Sequence, residues 1–228
     1  MSAAVKSRDE IAAAYDSPPW WYDIRGFFIL TFAYNSTLTH QLRFFAPHFG
    51  PRHLEVACGT GTLLSILLRW RALTGRPRVQ IAGVDYADSM LAGARRRFAR
   101  RDDIELRHAD VAALPYPEAL FDTINVANAI HCFPDVDGGL KDMLRVLKPG
   151  GTMAVNALLY PRTIWPFNAI AKRLDDWGIR KGILVTPYER DDMRARIVNA
   201  GFEIVSEDVS GNCYDVVARK PLTPSASR

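Results

Sequence analysis

The sequence contains no apolar run long enough to cross a bilayer. Its most apolar stretch, Phe27-Phe28-Ile29-Leu30-Thr31-Phe32-Ala33, falls well short of the roughly 20 residues a spanning helix needs. Cysteine is scarce and scattered. Cys58, Cys132 and Cys213 are odd in number, far apart, and form no C-x-x-C pair, which argues against a disulfide framework and against a zinc site. The N-terminal stretch MSAAVKSRDEIAAAYDS has an acid pair and no apolar core, unlike a secretory signal. A cytoplasmic protein in a reducing compartment is the expectation. No strong excess of one charge exists either: the net charge is +4, short of a nucleic-acid footprint. The one dense basic run, Arg95, Arg96, Arg97, Arg100 and Arg101, falls on an expected helix and reads as its solvated face.

The 228 residues, 48% apolar and 24% charged, are those of a globular chain with one domain and elaborations. Residues 7–15 read as a short helix broken by Asp16-Ser17-Pro18-Pro19, and residues 24–46 as a second helix ended by Pro47, Gly50 and Pro51. After Pro51 short apolar runs alternate with helical stretches. Strands are expected at 53–57, 79–84, 104–108, 121–127 and 152–157, with helices at 62–73, 89–101 and 136–147. Such alternation implies right-handed crossovers and a mostly parallel sheet. Residues 158–187, rich in Pro, Trp and Arg, read as an insertion. A helix at 189–200 and two strands, 202–209 and 213–218, joined at Ser210-Gly211-Asn212 complete the pattern. The division is an N-terminal helical segment (1–49), a main domain (50–220) and a frayed tail (221–228).

Chemistry concentrates at HLEVACGTGTL, residues 53–63. A strand ending in an acid runs into small residues that let backbone approach a ligand. A phosphate-binding P-loop needs Lys after the last glycine, and Thr62 and Leu63 follow instead. A dinucleotide fingerprint needs Gly or Ala where Leu64 stands, and Glu55 would repel a pyrophosphate. The third reading is a cofactor with an amino acid at one end and a nucleoside at the other. Glu55 would then help hold an ammonium, and the following helix N-terminus would favour a carboxylate. Asp85 ends the next strand, 24 residues after Gly61. It can accept from both ribose hydroxyls and disfavours a 2′-phosphate. Tyr86 and Met90 offer adenine an apolar surface. Asp110 can take the adenine amino group while the Val111 backbone reads the ring edge. Helix or turn capping is the lesser alternative for Asp85 and Asp110, and Met90 can equally be core.

Taken in order, HLEVACGTGTL, GVDYADSM, HADVAALPY, FDTINVANAIHCF and VLKPGG resemble the class I S-adenosylmethionine-dependent methyltransferases, in their ubiquinone/menaquinone-type small-molecule branch. The front of the chain, AAAYDSPPWWYDIRGF, also resembles bacterial azapteridine N-methyltransferases of the toxoflavin type. The resemblance implies a Rossmann-like α/β fold with a seven-stranded, mostly parallel sheet, an antiparallel last strand, helices on both faces and an N-terminal helical lid. It implies S-adenosylmethionine as cofactor and no metal. By position, Glu55, Ala57, Cys58, Gly59 and Gly61 would surround the methionine and ribose, Asp85 the ribose diol, Tyr86 and Met90 the adenine faces, Asp110 and Val111 its edge, and Asn128 the methyl end. Alanine at 57 replaces the family's usual glycine, at little cost unless the backbone there needs a positive φ.

Tyr15 would stand on the lid and meet the cofactor carboxylate or the substrate. His131 is the candidate general base. Trp20, Trp21, Tyr22, Phe133 and Trp165 are candidate acceptor walls, with 158–187 as a substrate cap. The expected acceptor is a planar heteroaromatic metabolite methylated on N or O, by a monomer or homodimer without nucleic acid. The alternatives are a membrane-associated acceptor, with residues 24–46 resting on a bilayer, and a module that binds the cofactor without transfer.

Overall fold

The computed structural model describes residues 36–160 and 188–222. Seven strands, β1 (Arg52–Val56), β2 (Gln80–Asp85), β3 (Ile104–His108), β4 (Phe121–Val126), β5 (Leu147–Leu158), β6 (Glu203–Ser210) and β7 (Cys213–Arg219), form one sheet in the order β3-β2-β1-β4-β5-β7-β6. β1 to β5 pair in parallel. β7 runs antiparallel between β5 and β6. The central strands are buried along nearly their whole length, as expected of parallel strands covered on both faces. β6 is an edge strand and mostly exposed.

The two faces differ in kind. Leu54, Val56, Ile124, Val126, Met153 and Val155 pack with Leu140 and Met143 of α4 (Val136–Val146) and with Met193 and Ile197 of α5 (Arg190–Asn199). On the other face, α1 (Leu38–Phe45), α2 (Thr62–Leu73) and α3 (Asp88–Arg97) contribute Phe45, Leu64, Leu67 and Ala94 to a second core with Ile81 and Ala154. In the strands' two-residue period, that second face also carries His53, Glu55, Thr123, Asn125 and Asn156, joined by Asp215 of β7. His53, Glu55, Asn125, Asn156 and Asp215 are all buried. One face of the sheet is therefore apolar; the other has a polar stripe beneath α1 and α2.

The expected helix over 24–46 needs correction in its described part. Ser36 and Thr37 are not helical, and Thr37 (φ −116°, ψ 154°) caps α1, its hydroxyl accepting from the His40 N–H at 3.2 Å. A hydroxyl that can bond the backbone locally favours a helix start over a helix interior. Arg71 of α2 fixes the other end of α1, donating to the Ala46 carbonyl at 2.9 Å with its guanidinium over the Phe49 ring.

The chain leaves β5 beyond Tyr160 and re-enters at Tyr188, and Leu159 pairs with Tyr188. The two points are fastened by Tyr188 N–H to Leu158 O (2.9 Å) and Tyr160 N–H to Tyr188 O (3.2 Å). Tyr15, Trp20, Trp21, Tyr22 and Trp165 lie outside the described residues, as do the remaining residues of the expected lid before Ser36 and residues 161–187 of the expected cap. Among the described residues no helix is long and apolar enough to cross a membrane.

Candidate functional site

The loop after β1 turns through three left-handed positions, Ala57 (φ 53°), Gly59 (φ 55°) and Gly61 (φ 73°). It is tied to the neighbouring strand end at two points. The Cys58 N–H donates to the Val84 carbonyl at 2.9 Å, and the Gly59 N–H to Asp85 Oδ2 at 2.7 Å. α2 then begins with no side-chain cap, so its first turn and its dipole favour an anion. Arg97 of α3 braces the loop, Nε donating to the Thr60 carbonyl (3.0 Å) and a terminal nitrogen to Thr62 Oγ1 (2.7 Å). Arg95, Arg96 and Arg97 at the end of α3 are exposed, as expected of a solvated face, and Arg97 braces the loop from there; Arg100 and Arg101 lie beyond the helix.

The positive φ of Ala57 is the one condition under which alanine there is expected to carry a cost. An L-residue in this region is strained by about 1–2 kcal/mol. Ala57→Gly is expected to stabilise the protein by about 1 kcal/mol, net of the freedom glycine gains when unfolded. The check is thermal unfolding, where a rise of about 2–4 °C is expected. An unchanged or lower midpoint would mean that the turn is not left-handed at 57.

Asp85, at the end of β2, uses both carboxylate oxygens. Oδ2 holds Gly59, and Oδ1 accepts from the Ala87 N–H at 2.9 Å. Burial raises its carboxyl above the usual range, opposed by the Ala87, Gly59 and Tyr86 backbone groups. Three backbone donors on two oxygens leave the carboxylate part of its acceptor capacity for a hydroxyl donor. Tyr86 stands beside it, half-buried, its ring 5.1 Å from the His108 ring, and His108 Nε2 donates to the Tyr86 carbonyl at 2.8 Å. Met90 is 1% exposed and belongs to the interior, so it gives adenine no open surface. Asp110 caps the short 3₁₀ turn Val111–Ala113, Oδ1 accepting from the Ala112 N–H at 3.0 Å, and Val111 is buried.

Glu55 lies under the loop, 3% exposed, and burial pushes its carboxyl up to about 8. The hydrogen bonds agree with a neutral acid. His53 is held neutral by burial, its value lowered to about 3. Its Nδ1 meets Thr123 Oγ1 at 2.8 Å, and its Nε2 meets Glu55 Oε2 at 3.1 Å. A carboxyl O–H donating to Nε2, with Nδ1–H donating to Thr123, satisfies all three groups. A cation reaching Glu55 would displace that proton.

At the β4 end, Asn128 takes a positive φ (54°), which asparagine tolerates. Its N–H donates to Asn156 Oδ1 (2.6 Å), and Asn156 Nδ2 returns a bond to Asn128 Oδ1 (2.8 Å). Asn128 Nδ2 reaches Gln41 Oε1 of α1 at 3.2 Å. His131 follows in the 3₁₀ turn Ile130–Cys132; it is 4% exposed, and burial lowers its imidazole to about 4. Phe133 is drawn into the apolar core under α4, beside Gly139. It packs there, 9% exposed, and presents no open face of the kind expected from sequence. Among the described residues no group of three or more His, Cys, Asp or Glu side chains could hold a metal ion.

The structure brings the loop, Glu55, Asp85, Tyr86, Asp110 and Asn128 to the carboxyl edge of the parallel strands, where open α/β sheets take their ligands. Gln41, Arg97, Asn156 and Asp215 were missed from sequence. Only the His53–Glu55 contact had a local signal, since residues two apart on a strand share a face.

A sheet of this order, with a glycine-turned loop braced against an acid at the end of β2, defines the class I methyltransferase fold. Residues 54–155, just under half of the chain, match the family described as a methyltransferase domain. Demethylmenaquinone methyltransferase of Thermus thermophilus is 39% identical over 105 residues, 46% of each chain. The protein of the same name from Clavibacter sepedonicus is 36% identical over 110 residues, 48% of this chain and 42% of that one. The chain thus matches less than half the length of these relatives. Among solved structures, the [4+2]-cyclase SpnF superposes with a TM-score of 0.62 at 20% identity, over 82% of this chain and 80% of that one. Methyltransferase CalH bound to S-adenosylhomocysteine superposes with a TM-score of 0.58 at 20% identity, over 79% and 55%. That a cyclase shares the architecture shows that fold alone does not specify the reaction.

Proposed function

We propose that this protein transfers a methyl group from S-adenosylmethionine to a small planar acceptor, with a quinone-type ring as the acceptor class best supported. The observation that carries the reading is the loop–Asp85 crevice. It offers backbone N–H groups, an uncapped helix start, a buried acid and a second acid with spare lone pairs, within one strand edge. These suit in turn the carboxylate, the ammonium and the ribose diol of such a cofactor. When bound, the cofactor supplies an electrophilic methyl on sulfur. The protein's residues bind, orient and exclude water. Asp85 holds the ribose while keeping the loop closed on Gly59. Tyr86 flanks adenine and Asp110 takes its amino group. Glu55 meets the ammonium, and Asn128, fixed by Asn156, borders the methyl end.

The acceptor class rests on the demethylmenaquinone methyltransferases, whose similarity covers just under half of this chain. The walls around the acceptor would come from elsewhere: Tyr15, Trp20, Trp21 and Tyr22 in a lid over 1–49, and Trp165 in a cap over 158–187. Those aromatics also suit a polar heteroaromatic ring of the azapteridine kind, which is the second reading. The experiment is transfer from radiolabelled S-adenosylmethionine into an extract of the native organism, split into organic, aqueous and protein fractions. Label in the organic fraction is expected. Label in the aqueous fraction selects the heteroaromatic, and none in any fraction, with S-adenosylhomocysteine still bound, overturns transfer in favour of a binding module.

Glu55 gives a separate prediction. The free protein holds a proton near pH 8 that an ammonium-bearing ligand expels, so raising pH favours binding. Affinity for S-adenosylhomocysteine is expected to rise between pH 6 and 8, by up to about tenfold per unit. His53 stays neutral across this range, and burial keeps the Cys58 thiol protonated. In Glu55→Gln the slope should vanish. Calorimetric titration at the two pH values is the check, and a flat wild-type response would remove Glu55 from the ammonium site.

A further inference from the structure

The polar stripe ends in a pair that the cofactor has no use for. Asp215 sits near the start of β7, 3% exposed, opposite Asn156 of β5. Its Oδ2 lies 2.5 Å from His40 Nε2 of α1, and its Oδ1 accepts from the Cys213 thiol at 3.3 Å. Burial raises the Asp215 carboxyl, and its hydrogen bonds to His40 and Cys213 oppose that rise; with the carboxylate ionised it only accepts, Nε2 carries the ring proton and Nδ1 presents its lone pair. Among the described residues nothing hydrogen-bonds Nδ1. The side chains are unequally enclosed, His40 being 28% exposed against 3% for Asp215. A carboxylate buried in this way stabilises a fold less than an apolar residue of its size would. It orients a histidine and stabilises positive charge on it, as acids do behind catalytic histidines.

Position supports the same role. Gln41, the next residue on α1, meets both Asn128 and Asn156 through Oε1 (3.2 and 3.4 Å). One hydrogen-bonded group therefore links the pair to the β4 end, where the methyl donor is placed. Arg71 and the Thr37 cap hold α1 at its two ends. His131 is a poor alternative base, because burial lowers it to about 4 and a base works best when its conjugate acid titrates near the working pH.

We propose that His40, oriented by Asp215, is the general base of the methyl transfer, with Asp215 as a positioning residue. The inference rests on the transfer reading above. The acceptor enters as the quinol, the reduced form of a quinone-type ring, or as an N–H heteroaromatic; its O–H or N–H proton passes to Nδ1 while the acceptor's electron pair forms the bond to the methyl carbon. The electron pair of the broken carbon–sulfur bond stays on sulfur, which leaves as a neutral thioether. The imidazolium then returns its proton to water. The charged and titratable groups around the pair are Asp208 across the β6–β7 ladder, Cys213, whose thiol burial keeps protonated, and Arg43 one turn on along α1.

The test uses the full chain, radiolabelled S-adenosylmethionine and the extract fraction that accepts label. His40→Ala is expected to lower kcat by about 100- to 1000-fold, with S-adenosylhomocysteine binding within twofold of wild type and turnover partly restored by added imidazole. Asp215→Asn, which keeps the shape, should lower kcat at least tenfold and displace the acid limb of its pH profile. A His40→Ala enzyme within threefold of wild type overturns the proposal. So does one that loses cofactor affinity in step with turnover, or that imidazole leaves unrestored. Wild-type protein that binds S-adenosylhomocysteine and labels nothing fails the transfer reading itself, and the pair then has no reaction to serve.

Discussion

Asp85→Ala is expected to weaken S-adenosylhomocysteine binding by about ten- to a hundredfold, on the scale of 1–3 kcal/mol for buried donors losing a charged acceptor. Two losses add. The ribose hydroxyls lose their acceptor, and the Gly59 and Ala87 N–H groups lose the bonds that set the loop against β2. Stability should respond less, because the fold holds this carboxylate at a cost: burial raises it above its usual range. A large fall in affinity with a small fall in the unfolding midpoint is thus the expected signature. Asp85→Asn should behave similarly, since its amide N–H₂ must face one of the two backbone donors. A dissociation constant unchanged in both variants would mean that the ribose lies elsewhere.

Gly61→Ala is expected to be the most damaging single change to the loop. At φ 73° an L-residue is strained by about 1–2 kcal/mol. The added methyl would also lie 2.4 Å from Phe98 Cε2. Phe98 is 7% exposed at the end of α3 and packed in the core beneath the loop, so its ring has little room to retreat. Overpacking of this kind costs about 1–3 kcal/mol more. The sum, about 2–5 kcal/mol, corresponds to a fall on the order of 10 °C in the unfolding midpoint. Phe98→Leu placed on Gly61→Ala should recover part of the loss, as neighbouring sites do not add independently. A Gly61→Ala protein that melts like wild type would refute this loop geometry.

The alternation after Pro51 was legible because parallel strands and amphipathic helices differ in period and length. α2 occupies the expected residues Thr62–Leu73, and each strand lies within a residue or so of its expected place except β5, which begins five residues earlier, at Leu147. Asp85 was legible as a strand end. Other features had no local signature. Ser36 and Thr37 stop a helix that the apolar pattern carried back to residue 24, because hydroxyl capping is a geometric event within an unbroken composition. Arg97 looks like its neighbours Arg95 and Arg96 until α3 is set beside the loop. The His40–Asp215 pair spans 175 residues and the Gln41–Asn156 contact 115, so only the assembled sheet brings them together. Phe133 and Met90 illustrate the converse: a large apolar side chain near a site reads the same whether it faces the ligand or the core.

The pairing of Leu159 with Tyr188 has an evolutionary consequence. Those two residues hold the two ends of the intervening segment together beside β5, whatever its length. Lengthening a segment whose ends are already held together costs only about 0.6 kcal/mol per doubling. A change in the length of that segment can therefore leave β5 and β7 in register. On the proposed reading, in which residues 158–187 cap the acceptor, replacing that one cassette would change the acceptor without renegotiating the rest of the protein.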